Sequence, residues 1–263
     1  MRIVKSLLRR CGDVVAFMAA AGAPCRLSEV AAALDLPKSA THRLLRELCD
    51  LGWVEQSGED GPYALTLRFA LLGHRVLQAS RLPDLVQPVL DGLAAQTREL
   101  VRITVATEQG LVWFAFAQGA PPGLVYQPAM NSEVLLHATA NGKAYLSTLN
   151  DADARQLAQR GGLGERRPTP RTLTTPAGLQ EALAEVRARG YAVAMEEAEP
   201  GITAVAVPIR HAGRPALGTV SVAGPSIRIG SGRIPALAAS LRDAAATLGS
   251  AERDLMKSLG GRT

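Results

Sequence analysis

The chain has 263 residues, 47% of them hydrophobic and 20% charged, which allows two packed cores and excludes a disordered or low-complexity protein. Its net charge of +5 leans toward polyanions without a histone-like excess, and residues 1–83 carry 11 Lys/Arg against 8 Asp/Glu, the remainder 18 against 16. Cys11, Cys25 and Cys49 form an odd set with no C-x-x-C pair, so neither a disulfide framework nor a zinc site is expected, and a reducing compartment is.

Near the start, an apolar run over 14–23 follows Arg9 and Arg10 and resembles a short secretory segment. Asp13 interrupts it, however, and Val4, Leu7, Leu8, Cys11, Val14, Val15 and Met18 fall on one helix face. A helix over 3–20 is expected, ended by Gly22 and Pro24. No stretch reaches the ~20 apolar residues of a membrane span, so a cytoplasmic protein is expected.

Ser28 is a candidate N-cap for a short helix over 29–34. Pro37 suits the first position of a third helix running to Leu51 and closed by Gly52. Two alternating runs, 53–56 and 63–67, flank the polar turn 57–61 and predict a β-hairpin. A helical connector over 68–96 follows, broken by Pro83. Next come a hairpin (100–107 and 111–117), a short strand over 125–128 and helices over 137–149 and 151–159. A further helix runs from Thr175-Pro176 to Gly190, followed by strands over 191–195, 202–209 and 216–222 and a last helix over 234–259. The order implies an α+β, two-domain protein. Residues 1–67 form a winged helix-turn-helix, 68–83 a helical linker, and 84–263 an effector-binding domain with an antiparallel-rich sheet.

On the third helix, Thr41, Leu44, Leu45, Leu48 and Leu51 make an i, i+3, i+4, i+7 stripe suited to a core. Ser39, His42, Arg43, Arg46 and Asp50 lie opposite. Ser and His can bond phosphates or base edges, and Arg can bind guanine bidentately. Lys38 falls in the first turn, where backbone N–H groups also favour a phosphate. Such a face on an isolated helix is usually just solvated. The preceding short helix, the tight Asp35-Leu36-Pro37 link and the following hairpin make it the reading helix of a DNA-binding module, with 57–63 as the wing.

These residues also carry a family resemblance. Leu36-Pro37-Lys38-Ser39-Ala40-Thr41-His42-Arg43-Leu44-Leu45 resembles the recognition helix of the IclR family of bacterial transcription regulators. His137-Ala138-Thr139-Ala140-Asn141-Gly142-Lys143-Ala144 resembles a HATALGKA stretch of that family. Gly190 to Glu197 with Gly201 to Pro208 resembles its GYA-x-D-x-EE…G-x-x-CVAAP signature. The resemblance spans nearly the whole chain. It implies a GAF-like effector domain, dimers through the N-terminal module and often tetramers through the effector domains. Separately, one winged module reads too few base pairs to define a genomic site, so symmetric pairing on a palindromic double-stranded operator is expected. Ala40 stands where the family commonly has Thr, which leaves the operator sequence open.

Enzyme chemistry has little support. Lys143 follows Gly142 but lacks the remainder of a phosphate-binding loop, and 161–164 lacks dinucleotide-binding spacing. His137 has no nucleophile beside it in any local signature, and structural or pocket-lining use is the better reading. Glu196 and Glu197, adjacent in sequence, would point to opposite faces of a strand and cannot flank one bond. No cofactor, metal or catalytic residue is expected. The rival class is a small-molecule enzyme or binding protein with no DNA role.

By the resemblance, the family's Asp, Cys and Ser pair that form a polar effector pocket become Ala194, Ala204, Ser221 and Ala223 here. Leu124, Tyr126 and Met195 are expected to line the same cavity. A strongly hydrated small acid would leave polar atoms unpaired against such walls, whereas an aromatic or apolar-bodied organic acid gains from burial. Its charged end is expected on Asn141, Ser221 or backbone N–H groups near Ala140. A vestigial pocket in a constitutive regulator is the alternative.

Overall fold

The computed structural model describes residues 6–80, 82–128, 130, 133–210 and 216–250. Packing divides the chain into two units, Met1–Ala79 and Ser80–Thr263.

In the first unit, α1 (Leu7–Ala21) is capped by the Ser6 hydroxyl, which accepts from the Arg9 N–H, and ends at Gly22 with φ 62°. That left-handed turn suits glycine because no Cβ opposes it. Residues 3–5 of the expected helix lie outside the described set. α2 (Leu27–Ala33) begins two residues earlier than Ser28 predicts, with Arg26 at the N-cap. Glu29 explains the shift: its Oε2 accepts from the Arg26 N–H at 2.7 Å, the reach-back half of a capping box, and Ser28 is left inside the first turn. α3 (Lys38–Asp50) has Pro37 as its N-cap and not as its first helical residue.

The strands β1 (Val54–Gln56) and β2 (Tyr63–Leu65) pair antiparallel, Val54 opposite Leu65. At the tip the Gln56 amide donates to the carbonyls of Glu59 and Gly61, holding the turn in shape. Val14, Met18, Val30, Leu44, Leu45, Leu48, Val54 and Tyr63 form one core. Each large side chain buried there contributes about 1.5–3 kcal/mol. α4 (Leu67–Ala79) follows and buries no residue. Leu67, Leu71, Leu72 and Val76 are 81, 56, 41 and 67% exposed.

The second unit opens with α5 (Leu82–Thr97). α4 ends at Ala79, so the helical pattern is interrupted before Pro83, and Pro83 itself occupies the first turn of α5. There its missing N–H costs nothing. β3 (Leu100–Thr107) and β4 (Gly110–Gln118) form a hairpin. The helices α6 (Ala140–Leu146), α7 (Asp151–Arg160) and α8 (Pro176–Arg189) precede β5 (Ala192–Met195), β6 (Ile202–Ile209), β7 (Gly218–Pro225) and α9 (Ile234–Ser250). The expected continuation of the last helix to 259 falls outside the described residues.

Two expectations are corrected. Residues 125–128 form no strand; the Tyr126 carbonyl accepts from the Gln118 side chain at 3.0 Å instead of from a neighbouring strand. The helix expected over 137–149 shrinks to α6, because Thr139 takes the N-cap and its hydroxyl accepts from the Gly142 N–H at 3.0 Å.

The sheet order is β4-β3-β7-β6-β5, and every neighbouring pair is antiparallel. Cross-strand partners share a face. Val101, Ile103, Val205, Val207, Val220 and Val222 line the face toward α5 and α9. The opposite face carries Arg102, Thr104, Thr219, Ser221, Ala206, Ala204 and Ala194, and α6 lies on it. Gly142 lets the turn before α6 fold closely against the helix, since a Cβ there would meet the Leu136 backbone at 2.3 Å.

Candidate nucleic-acid interface and effector site

α3 separates its faces as its 3.6-residue period requires. Thr41, Leu44, Leu45 and Leu48 are buried, and the Thr41 hydroxyl donates to the Pro37 carbonyl at 3.1 Å. Lys38, Ser39, His42, Arg43 and Arg46 are all exposed. The structure therefore brings the five sequence-derived candidates together on one solvent-facing surface. The turn between β1 and β2 follows as the wing, and the Thr66 hydroxyl donates to the Gly52 carbonyl at 2.6 Å to fix the start of the hairpin.

The effector candidates divide. Ala140 and Ala194 pack in one cluster with Ala144, Val186, Ala192 and Ala206, and Ala204 borders it. Small side chains here let α6 settle on the sheet, so part of the volume released by alanine is taken up by close packing. Ala223 is buried opposite Ala204. Asn141 and Ser221 are buried as well, but their donors are engaged. Asn141 Nδ2 donates to Thr219 Oγ1 at 2.8 Å, Thr219 Oγ1 lies 2.6 Å from Thr104 Oγ1, and Ser221 donates to the Arg102 carbonyl.

Met195 does not share a cavity face with Ala194. Adjacent strand residues point to opposite sides, and Met195 is 41% exposed. It borders a separate cavity of about 460 Å³ at the β5 edge, with Lys143, Tyr191, Val193 and Glu197. In that cavity wall, Lys143 Nζ reaches both Glu197 oxygens at 2.6 and 2.7 Å. Burial pulls the Lys143 ammonium below its usual pKa while Glu197 pulls it back up. Leu124 is 62% exposed, and its carbonyl accepts from Arg228. His137 is buried, with Nε2 at 2.8 Å from the Arg166 carbonyl, a packing role.

Sequence reasoning missed Arg102 and Trp113. Arg102, 7% exposed, lies on the α6 face of β3 with its guanidinium 3.7 Å from the Trp113 ring centroid and 5.9 Å from that of Tyr126. A β-bulge brings Trp113 there. The β3–β4 register slips between Ile103 and Thr104, so Phe116 faces Arg102 while Trp113, not Phe114, pairs with Thr104. Burial lowers the Arg102 pKa, and it raises that of Tyr126 to about 12. The available signal was an arginine inside the apolar alternation Leu100-Val101-Arg102-Ile103.

A winged helix-turn-helix with a cationic reading helix, joined to an α+β unit holding polar groups on a covered sheet face, defines a DNA-binding regulator with an effector domain. Family models agree: the IclR helix-turn-helix domain matches residues 7–58, and the bacterial transcriptional regulator IclR C-terminal domain matches 74–250. The chain belongs to the IclR family of bacterial transcriptional regulators. It is 31% identical over 243 residues to the transcriptional repressor IclR of Escherichia coli K12, covering 92% of this chain and 88% of that one. A crystal structure of an IclR-type regulator from Silicibacter sp. TM1040 superposes with TM-score 0.82 at 24% identity, over 95% of this chain and 96% of the other. An IclR homolog from Microbacterium hydrocarbonoxydans, solved with 4-hydroxybenzoate, gives TM-score 0.70 at 24% identity over 94 and 99%. The curated relatives are regulators and repressors, not enzymes. Among the described residues no helix is long and apolar enough to cross a membrane, and no cluster of three metal-ligating side chains occurs.

Proposed function

We propose that this regulator controls a catabolic operon from the cytoplasm, binding a palindromic operator as a homodimer or homotetramer and responding to an aromatic or apolar-bodied organic acid. The observation that carries the DNA half is the α3 surface, where Lys38, Ser39, His42, Arg43 and Arg46 are exposed over a buried Leu44-Leu45-Leu48 seam. In this reading Lys38 holds phosphate, the other four meet phosphate or base edges, and the wing crosses the backbone. One winged module reads too few base pairs to define a genomic site. Symmetric pairing supplies the rest, and the exposed apolar side chains of α4, with Leu7 and Leu8 of α1, offer surface for it.

Ala194, Ala204 and Ala223, with the rings of Trp113 and Tyr126 on the same side of the sheet, favour an apolar body over a small hydrated acid. The effector shifts operator affinity only by its different affinity for the arrangements that do and do not fit DNA. A mobility shift on the DNA upstream of the gene, with and without aromatic acids, tests both halves. Thermal stabilisation by aromatic acids but not by glyoxylate or pyruvate is expected. The reverse pattern overturns the effector assignment, and silence across a broad panel makes the protein a constitutive regulator.

A further inference from the structure

The α6 face of the sheet holds a charge that nothing around it neutralises directly. Arg102 stands in the middle of an apolar strand at 7% exposure, and its Nε has no hydrogen-bond partner. The ion pairs of the described residues in this unit leave it out: Glu197 is taken by Lys143, Glu99 by Arg228 and Arg233, Asp151 by Arg187 and Glu133 by Arg166. Glu199 influences it from farther away, and the Tyr126 phenol lies between the two. Beneath the guanidinium, the Trp113 indole is 9% exposed and its Nε1 is likewise without a partner. Two buried, unpaired N–H donors thus lie side by side, and each destabilises the site while it lacks an acceptor. The Tyr126 phenol hydrogen-bonds to the Arg102 side chain but leaves Nε unpaired, and Thr104, Thr219, Asn141 and Ser221 are hydrogen-bonded among themselves and to the backbone.

We infer that Arg102 is the anion anchor of the effector site: its guanidinium, backed by the Trp113 indole N–H, binds the carboxylate of a monoanionic aromatic acid. The inference rests on the organic-acid reading above and replaces Asn141 and Ser221 as the holders of the charged end. Guanidinium and carboxylate match as a planar fork. The face of Trp113 supports the cation in a desolvated setting, where cation–π attraction is strongest. The bulge is what makes the pairing possible, since regular alternation would have sent Trp113 to the far side of the sheet.

The chain has two tryptophans, so Trp53→Phe leaves Trp113 as the sole indole reporter in an otherwise intact protein. Benzoate and its uncharged isostere benzamide are the probes, read by indole fluorescence and by thermal shift, with 4-hydroxybenzoate, phenylacetate and cinnamate as further acids. We expect benzoate to alter Trp113 emission and to bind at least ten-fold more tightly than benzamide. Arg102→Gln should weaken benzoate by about 10- to 100-fold and bring the two probes to parity. Arg102→Lys should recover part of the preference. Equal binding of benzoate to wild type and Arg102→Gln would overturn the anchor while leaving the acid effector standing. Equal binding of benzoate and benzamide to the Arg102-intact protein overturns it too, and this arm does not depend on any Arg102 variant folding. Failure of every acid to bind removes the organic-acid reading itself, and the anchor with it.

Discussion

The two units use arginine in opposite ways. In the N-terminal unit Arg43 and Arg46 stand in solvent on one helix face, above a core of leucine, valine and methionine that contains no charge. In the C-terminal unit three arginines are drawn partly or wholly inward. Arg228 and Arg233 close on Glu99, which is 1% exposed, and Arg102 lies on an aromatic floor with one N–H unpaired. An exposed cation keeps its hydration and can meet any polyanion, so its specificity comes from where the helix holds it. A buried cation has lost its hydration, and only an acceptor of the right shape restores the loss. On the proposed reading, one unit meets an extended polymer and the other a single small anion.

The comparison is tested most harshly by Glu99→Ala. Glu99 Oε1 accepts from Arg228 and Arg233, and Oε2 from Arg228 at 2.6 Å. Removing the carboxylate takes three charge-assisted hydrogen bonds from two half-exposed guanidinium groups and leaves a gap at a fully buried position, together about 3–5 kcal/mol. Calorimetry should show the effector unit melting well below its wild-type temperature. A loss under 1 kcal/mol would mean that solvent already satisfies these arginines. The counterpart in the other unit is Leu45→Ala, at a fully buried position. It should cost about 2–5 kcal/mol by transfer and cavity terms together and abolish operator binding, while leaving ligand-induced stabilisation of the effector unit intact. Loss of both would show that the units do not melt separately.

Arg46→Ala lies next in size. If Arg46 reads a base, specific affinity falls by about 1–3 kcal/mol and preference relaxes at one position of the site. A footprinted operator compared with single-base variants would show it. An unchanged preference would place Arg46 on phosphate.

Tyr126 gives a smaller, pH-linked effect. Burial holds its phenol at about 12, above the ordinary 10, against the pull of Arg102. A folded-state pKa above the unfolded value stabilises fully below pH 10, and that contribution is lost as pH rises through 12. Ultraviolet titration of tyrosinate should therefore contain a late-ionising group that Tyr126→Phe removes. If the phenol ionises near 10, it is open to water and does not shield Arg102.

How much of this was legible in the sequence follows from what each signal measures. Periodicity reports burial, and it located the α3 seam and most of β3, β6 and α8, where one face is apolar and the ends carry strong caps. It failed at 125–128, where an apolar-looking run has a side chain, not a strand, as its hydrogen-bond partner. It overextended α6, because Thr139 could not be recognised as a cap inside an apolar stretch. Met195 was assigned to the wrong face because position along the chain was weighed without strand alternation. Arg102 and Trp113 were missed for a different reason. They are 11 residues apart on two strands, and only the register slip between Ile103 and Thr104 brings them together. A bulge has no signature in composition, so the pairing could not be read before the fold.

The smallest effect separates the two uses of positive charge most cleanly. Lys38 is the first residue of α3 and is exposed. It sits beside the unpaired N–H groups and positive dipole end of the helix, a natural seat for a phosphate. A phosphate contact releases about one condensed counterion, so Lys38→Ala should flatten the dependence of log affinity on log salt by about one unit. The loss should be nearly equal on operator and unrelated DNA, because phosphates carry no sequence. Arg102→Gln removes the same formal charge but should leave that slope unchanged. At 7% exposure its guanidinium cannot approach the DNA backbone, and its field at the surface is screened within about 10 Å at 0.1 M salt. Salt titrations of both variants by fluorescence anisotropy decide the matter. A flattened slope for Arg102→Gln would erase the distinction between the two cations. An unchanged slope for Lys38→Ala would move the phosphate contact from the start of α3 to Arg43 or the wing.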